Sequence, residues 1–554
     1  MRKSRLSAYN FGVKQHYRQL DYTLYDGEYQ LKLPLETEIL IAKNDPVRLL
    51  SVMVERMNME KILRSYSRNG RNEYSPRILL KVLVYAYMRR IYSTREIERA
   101  CRENVNFMYL LEGNAPPDHN TIHRFRSKRL AGREKDLLEQ QVAMLQSMGV
   151  VSMETVFIDG TKIEANANRY SFRWKKNAIR SGEKLVQKIR AALPELVKTT
   201  GVKWHIPEQI KLHKLKKLRK RLYEKAQQLG LEFVHGKGKH KQPLQRAIET
   251  VEGWLLKLKQ YTQDIYICGS RNSYSKTDND ATFMHMKEDH MRNGQLKPGY
   301  NVNVACSEEF IIGNYISADR NDVHTLIPFM EYLKRHSAIR RVCVDAGYES
   351  EENYCYFERA EQELYVKPSN HETKKTRKYR NDISRRENMA YDKEQNTYTC
   401  AAGKPLTLDY VKKEKTASGF ETEKSVYSCK ECSGCPLKEK CIQAKGSKKP
   451  LEERNKVIYV SKRFAEQRAA MEEKISTERG KLIRVNRSIQ AEGVFATIKE
   501  DMSFRRFMLR GTVKVEVEWT LLSLAYNLLK LHHKAQNDRL GTGLVVPKRF
   551  PVGL

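Results

Sequence analysis

Two short apolar runs, each closed by an aspartate, constrain this chain more than any other feature. TVFI (155–158) leads into Asp159-Gly160, and RVCV (341–344) leads into Asp345. Their β-branched character and their bounding turn residues predict strands. Asp159-Gly160 reads as a tight turn followed by a second strand or extended segment. Between and after the two runs lie GYNVNVACS (299–307), which alternates, and FIIGNYISA (310–318). NDVHTLIPFMEYLKRH (321–336) is an amphipathic helix with Asn321 or Asp322 as its cap, and ELYVKPS (363–369) is a short strand. The order strand, strand, strand, helix, strand, helix, strand predicts an α/β fold built on a mixed sheet.

That sheet is interrupted twice. With 554 residues the chain is too long for one ordinary core, and three or more units are expected. LHKLKKLRKRLYEKAQQL spaces Leu212, Leu215, Leu218, Leu222, Ala226 and Leu229 at a coiled-coil-like period. Leu244, Ile248, Val251, Leu255 and Leu258 repeat the pattern beyond a Gly/Lys/Pro turn. An antiparallel helical hairpin inserted into the sheet domain follows. Its charged face either lies along DNA or is solvated; the pattern alone does not decide. The second interruption is basic and Cys-rich. Ahead of the sheet, SPRILLKVLVYAYMRR has Ser75 as N-cap and Pro76 at the first helical position. STREIERACREN opens with Ser93 and carries Glu96 three residues on, a capping box. A third helix follows Pro116-Pro117, capped by Asp118 or Asn120, and bears His123, Arg124, Arg126, Lys128 and Arg129. Three such helices suit either a helix-turn-helix-like DNA binder or a bundle with a solvated basic face.

Charge narrows the partners. Lys plus Arg number 102 against 67 Asp plus Glu, a net charge of +35. Such an excess draws polyanions and gains from counterion release, so nucleic acid is the expected partner. No apolar run approaches a membrane span and the N-terminal residues have no apolar signal core, so the cytoplasm is the expected location.

Asp159 and Asp345 at strand ends, with Glu492 inside the helical stretch NRSIQAEGVFATIKED, form a candidate acidic triad. A few carboxylates at a solvent-open site suit Mg²⁺ or Mn²⁺, and two such ions can serve an in-line phosphoryl displacement. Taken singly, each acid is equally a turn residue, a cap or a helix-surface charge.

FIDGTKIEAN, VCVDAGYES and the run 487–499 resemble the three signature segments of DDE transposases of bacterial insertion sequences, in particular insertion-sequence family eleven-eighty-two. YSPRILLKVLVYAYMRRIYSTREIE, TDNDATFMHMKEDHMRNGQLKPGYNVNVA, CSGCPLKEKC and FRRFMLRG with the helix after it are similar to that family as well. The resemblance spans about residues 30–535 and is weakest in 171–262 and 370–425. It implies a ribonuclease-H-like catalytic core with Asp159, Asp345 and Glu492 as metal-binding acids. It also implies two Mg²⁺ or Mn²⁺ ions per site, transposon ends and target DNA as partners, and a homodimer on DNA in the bacterial cytoplasm. Relatives often carry Tyr, Arg, Glu and Lys on the last helix. Here Glu492 and Lys499 keep the spacing, two turns apart on one expected face, so Lys499 is a candidate phosphate contact. Val485 and Ser488 replace the Tyr and Arg. Arg487 stands one position off, as a phosphate contact or a surface charge.

The expected organisation is an N-terminal helical DNA-binding domain (1–145), a first part of the core (150–170) and a basic helical-hairpin insertion (171–270). A second part of the core (271–370), a Cys-rich, zinc-binding insertion (371–478), the catalytic and C-terminal helices (479–535) and a tail (536–554) follow. Cys400, Cys432, Cys435 and Cys441 are the expected zinc ligands, with Cys429 competing; reduced or redox-active thiols are the alternative. Arg505, Arg506 and Arg510 interleave with Phe504 and Phe507, a pattern for phosphate contact and base stacking, or for core packing beneath solvated Arg. Asp278 and Asp280 read as turn and cap residues, or as DNA- or metal-positioning acids. His285 and His290 are candidate general bases. A catalytically inactive DNA-binding derivative and a nuclease without strand transfer remain the competing functions.

Overall fold

The computed structural model describes residues 40–66, 73–236, 240–286, 295–334, 339–442, 449–541 and 543–545. Strand β1 (Thr155–Glu164) is flanked antiparallel by β5 (Leu296–Ser307) and parallel by β7 (Arg341–Val344). β6 (Phe310–Ser317) extends the sheet antiparallel beyond β5, and β8 (Glu363–Val366) extends it parallel beyond β7. The central order is therefore β6-β5-β1-β7-β8, a mixed sheet, with β4 (Thr282–His285) pairing the far end of β5.

β1 does not turn at Asp159-Gly160, contrary to the sequence expectation. It runs on to Glu164, held by β5 as far as Glu164↔Gly299, while its pairing with β7 stops at Ile158↔Val344. Asp159 thus sits mid-strand, where the parallel neighbour ends. Gly160 is needed for space: a Cβ there would lie 2.9 Å from the Tyr348 hydroxyl and 3.1 Å from Asn303 Oδ1. Cβ atoms that close force neighbours to shift.

The N-terminal helices Pro46–Glu55, Pro76–Met88 and Glu134–Ser147 do not form a separate core. They share one continuous apolar cluster with the sheet and with the C-terminal helix Thr512–Gln536. Asp118 caps His119–Arg124, accepting from the Asn120 and Thr121 amides at 2.8 and 3.0 Å. Ser75 and Ser93 occupy cap positions without a side-chain bond.

The helical insertion holds three helices, Lys175–Thr200, Leu212–Gln228 and Pro243–Cys268. The spacing of leucines marked the last two; the first, which runs on through Pro194, escaped it. They enclose their own core around Ile189, Leu193, Leu215, Leu218, Leu222 and Val251. A two-stranded ribbon, β2 (Phe172–Trp174) with β3 (Ser273–Ser275), closes the neck. The Cys-rich insertion is an antiparallel sheet of five strands, β9 (Ala390–Asp392), β10 (Thr397–Thr399), β11 (Pro405–Lys415), β12 (Glu421–Ser428) and β13 (Val457–Val460), around a small core that includes Cys429 and Cys432. No helix among the described residues is long and apolar enough to cross a membrane.

Candidate active site

The two aspartates come together because β1 and β7 are parallel neighbours whose pairing ends one residue before each. Asp159 is 6 % exposed. Asp345 leaves β7 and heads the tight turn Ala346–Tyr348. Glu492 reaches them from the chain's last quarter, at the end of a π-helical turn, Ser488–Glu492, that follows helix Glu478–Arg487.

Arg487 joins the three. Its Nη2 lies 2.6 Å from Glu492 Oε1 and its Nη1 3.5 Å from Asp159 Oδ2. Burial opposes its charge, but the fields of Asp159, Asp345 and Glu492 outweigh burial and hold the guanidinium above its ordinary value. The π turn accounts for the shift in sequence register. An i→i+5 turn holds one residue more than an α turn, so a residue five before Glu492 faces it as one four before would in an α-helix. Arg487 is thus half-buried ion-pairing machinery rather than a loose surface charge.

The same geometry corrects Lys499. A second π turn, Thr497–Asp501, interrupts the helix again, so seven residues no longer equal two α turns. Glu492 is exposed while Lys499 is only 9 % exposed, and the two do not share an open face.

A fourth acid stands here that the sequence reading took for a helix cap. Asp322 Oδ1 accepts from Asn301 Nδ2 at 2.6 Å, lies 3.6 Å from Lys162 Nζ, and would sit 3.2 Å from a Cβ on Gly160. Beneath it, Asn303 Oδ1 accepts from Tyr348 and Thr325 hydroxyls. Burial first, then the charges of Asp322, Asp159 and Asp345, push the Tyr348 phenol well up. No sequence signal distinguished Asp322 from an ordinary cap.

Asp278 and Asp280 serve a helix end instead. Asp278 accepts from the Tyr300 hydroxyl at 2.8 Å and the Gly511 amide at 3.2 Å; Asp280 Oδ2 accepts from the Thr512 amide at 2.8 Å. They satisfy the first amides of Thr512–Gln536 from a distant segment. His285 is exposed at the end of β4, and His290 lies outside the described residues.

Several expected DNA contacts point elsewhere. Arg126 is 3 % exposed and donates to the Tyr87 hydroxyl and the Tyr92 carbonyl, so it is withdrawn as a DNA contact. The π turn Phe125–Arg129 that follows the short helix rotates it inward. Arg129 pairs with Glu73 at 2.7 Å, while Arg124 and Lys128 are exposed. Phe504 and Phe507 are each 1 % exposed and pack on Trp519, which removes base stacking as their role. Arg506 donates to the Ala165 and Ala167 carbonyls, Arg510 to the Asn166 carbonyl, and Arg505 pairs with Glu500. Arg506 and Arg510 brace the loop after the helical stretch that carries Glu492 against the chain leaving β1.

Cys400, Cys429, Cys432, Cys435 and Cys441 all carry free thiols and line one small cavity. Cys432 Sγ accepts from the Lys456 amide at 3.3 Å. Cys429 is 1 % exposed, and burial pushes its thiol up to about 11. Among the described residues, no group of three or more His, Cys, Asp or Glu side chains stands in metal-holding geometry, at the acids or at the thiols. The donor chemistry nonetheless fits in both places. Two of the carboxylates pair with one guanidinium, Asp345 stands at the neighbouring strand end, and five thiols around one cavity match a soft, tetrahedral ion.

Two stretches of the chain match known families. Residues 399–532 match the transposase DDE domain, and residues 35–128 match the transposase domain DUF772. No curated protein and no solved structure matches. The first stretch contains Glu492 and all five clustered cysteines; the strands bearing Asp159 and Asp345 lie outside both. A DDE domain implies a ribonuclease-H-like core and a general use of divalent metals, in keeping with the mixed sheet. Together the two matched stretches imply a transposase, and with it an enzyme that binds DNA and acts in DNA transposition.

Proposed function

We propose that this chain is the transposase of a bacterial insertion sequence similar to family eleven-eighty-two. In this reading it binds the element's ends, cleaves phosphodiester bonds and transfers the 3′-hydroxyl ends into target DNA. Asp159, Asp345 and Glu492 are the acids that hold two Mg²⁺ or Mn²⁺ ions. The observation that carries the reading is the meeting of three acids from three distant segments around Arg487. Bound divalent ions would supply activation of the attacking oxygen and stabilisation of the leaving one. The protein's own side chains do the rest. Arg487 neutralises the carboxylates and can turn toward a phosphate, and Gly160 leaves room for the Tyr348 hydroxyl and Asn303 beside Asp159. Asp322, through Asn301 and the Tyr348 turn, positions the two strand-end aspartates. Arg124 and Lys128 contact DNA from the N-terminal helices. Zinc held by Cys400, Cys432, Cys435 and Cys441, with Cys429 packed behind them, stabilises the second sheet. The working form is a homodimer on DNA, one site per element end.

The test is a cleavage and strand-transfer assay on labelled element-end DNA with Mg²⁺, comparing the wild type with Asp159→Ala, Asp345→Ala and Glu492→Ala. Each variant should bind DNA yet lose cleavage by about a thousandfold, the equivalent of several kcal/mol of transition-state stabilisation. A wild type that binds without cutting, or variants that cut normally, would replace this reading with that of a DNA-binding protein. Cutting without joining would replace it with that of a nuclease.

A further inference from the structure

The helical insertion lies outside both matched stretches, and the active-site reading does not use it. Residues 171–270 hold 23 Lys and Arg against 8 Asp and Glu, an excess of 15 within the chain's +35. On the first helix, Lys175–Thr200, this charge is ordered. Lys176, Arg180, Lys184 and Lys188 follow one another at i, i+4 and all four are exposed. Twelve residues of helix make a row of about 18 Å. Like charges at i, i+4 repel and weaken a helix, and three such pairs run in succession here. Among the described residues none of the four makes an ion pair. By contrast, Arg190, Arg221 and Lys225 on the same bundle donate to the carbonyls of Glu208, Lys203 and Gly201 and so hold its loops. The row is therefore unnecessary to the fold and costs it stability.

Its place gives it a partner. The row starts one turn from the neck ribbon, where Phe172 of β2 packs on Phe283 of β4 at 5.0 Å, in the sheet that carries Asp159. A row of cations without ion pairs that begins beside the sheet carrying Asp159 complements the phosphate backbone of a duplex.

We propose that the first helix of the insertion is a DNA arm whose Lys176, Arg180, Lys184 and Lys188 grip successive phosphates of the same duplex that enters the active site. The proposal rests on the transposase reading for the identity of that duplex. Contact is with phosphates alone, so it is indifferent to base sequence.

Duplex binding by the full-length protein is measured across a salt series. Each phosphate contact contributes about −0.9 to the slope of log K against log salt. The variant K176Q/R180Q/K184Q/K188Q should flatten that slope by about three to four, equally on element-end and unrelated duplexes. K412Q/K413Q/K415Q/K424Q removes the same formal charge from lysines already paired with Glu414, Glu423 and Glu421, and should leave the slope near wild type. K176R/K184R/K188R keeps the charge and should keep the slope. Equal slopes for the two glutamine sets would overturn the proposal, as would flattening in the arginine set. Cleavage of end DNA by the wild type in the same buffer separates the two failures. No cleavage sinks the transposase reading, whereas cleavage with equal slopes sinks only the arm.

Discussion

The central sheet and the helical insertion are stabilised in opposite ways. The sheet borrows its core. Val156, Ile158, Val342 and Val344 pack in one cluster with Leu80, Leu83 and Val142 from the N-terminal helices and with Trp519, Leu522 and Leu524 near the C-terminus. The insertion closes its core within one contiguous segment, between three helices and over a two-stranded neck. The difference teaches where a site can be precise and where a surface can be spared. The two strand-end aspartates sit on the element clamped from both chain ends. The repelling cations sit on the element that carries its own core.

A core mutation on each side puts this contrast at risk. Trp519 is fully buried against Phe495, Phe504 and Phe507. Trp519→Ala should cost about 3–5 kcal/mol in denaturant unfolding and weaken the sheet and N-terminal helices in one transition. Separate transitions for residues 76–147 and for the sheet would mean that the shared cluster is not a shared core. Leu218 is fully buried in the insertion. Leu218→Ala should cost about 2–5 kcal/mol there alone. Hydrogen exchange should show protection lost across 175–268 and retained in 155–164 and 341–344, since local units open independently. Loss of protection in β1 would show that the neck transmits what the contrast says it isolates.

Much of the core was legible because its signals are local. The apolar runs of β1 and β7, the alternation of β5 and the order of elements all follow from side-chain period, and the structure keeps that order. What escaped depended on partners far along the chain. Asp159-Gly160 has the residues of a turn, yet β5 holds the strand straight through it. Asp322 has the residue type and place of a cap; only folding brings it beside Gly160 and Asn301. Arg487 looked out of register because α-helical spacing was assumed where the chain makes a π turn, and no residue pattern announces one. Arg126 counted as a DNA contact by type and neighbours, but tertiary packing buries it. In the Cys-rich segment β11 and β12 pair many charged residues, such as Lys413 with Glu423 and Lys415 with Glu421, and so lack the apolar run that marks a strand.

The smallest expected effect concerns the seam by which the sheet borrows its core, a feature the insertion has no counterpart for. Glu518 is fully buried on the C-terminal helix and accepts from the Met508 and Leu509 amides at 3.0 and 2.9 Å. Burial pushes its carboxyl up to about 6, against the pull of Arg126 from the N-terminal helices and of the two amides. A folded value above the ordinary 4.5 means that the folded state prefers the neutral acid. The associated stability is full below pH 4.5 and is lost as pH rises through about 6. The loss is about 2 kcal/mol, at 1.36 kcal/mol per pH unit. Glu518→Gln keeps a carbonyl acceptor and cannot ionise. Its stability relative to wild type should therefore rise by about 2 kcal/mol between pH 4 and pH 8, with the step centred between 4.5 and 6. Denaturant unfolding of both proteins across that range measures the difference directly. A difference that instead falls as pH rises would mean that Arg126 holds Glu518 ionised throughout. The seam would then be a buried ion pair, and the N-terminal helices would be locked to the sheet by charge as well as by the apolar surface they share.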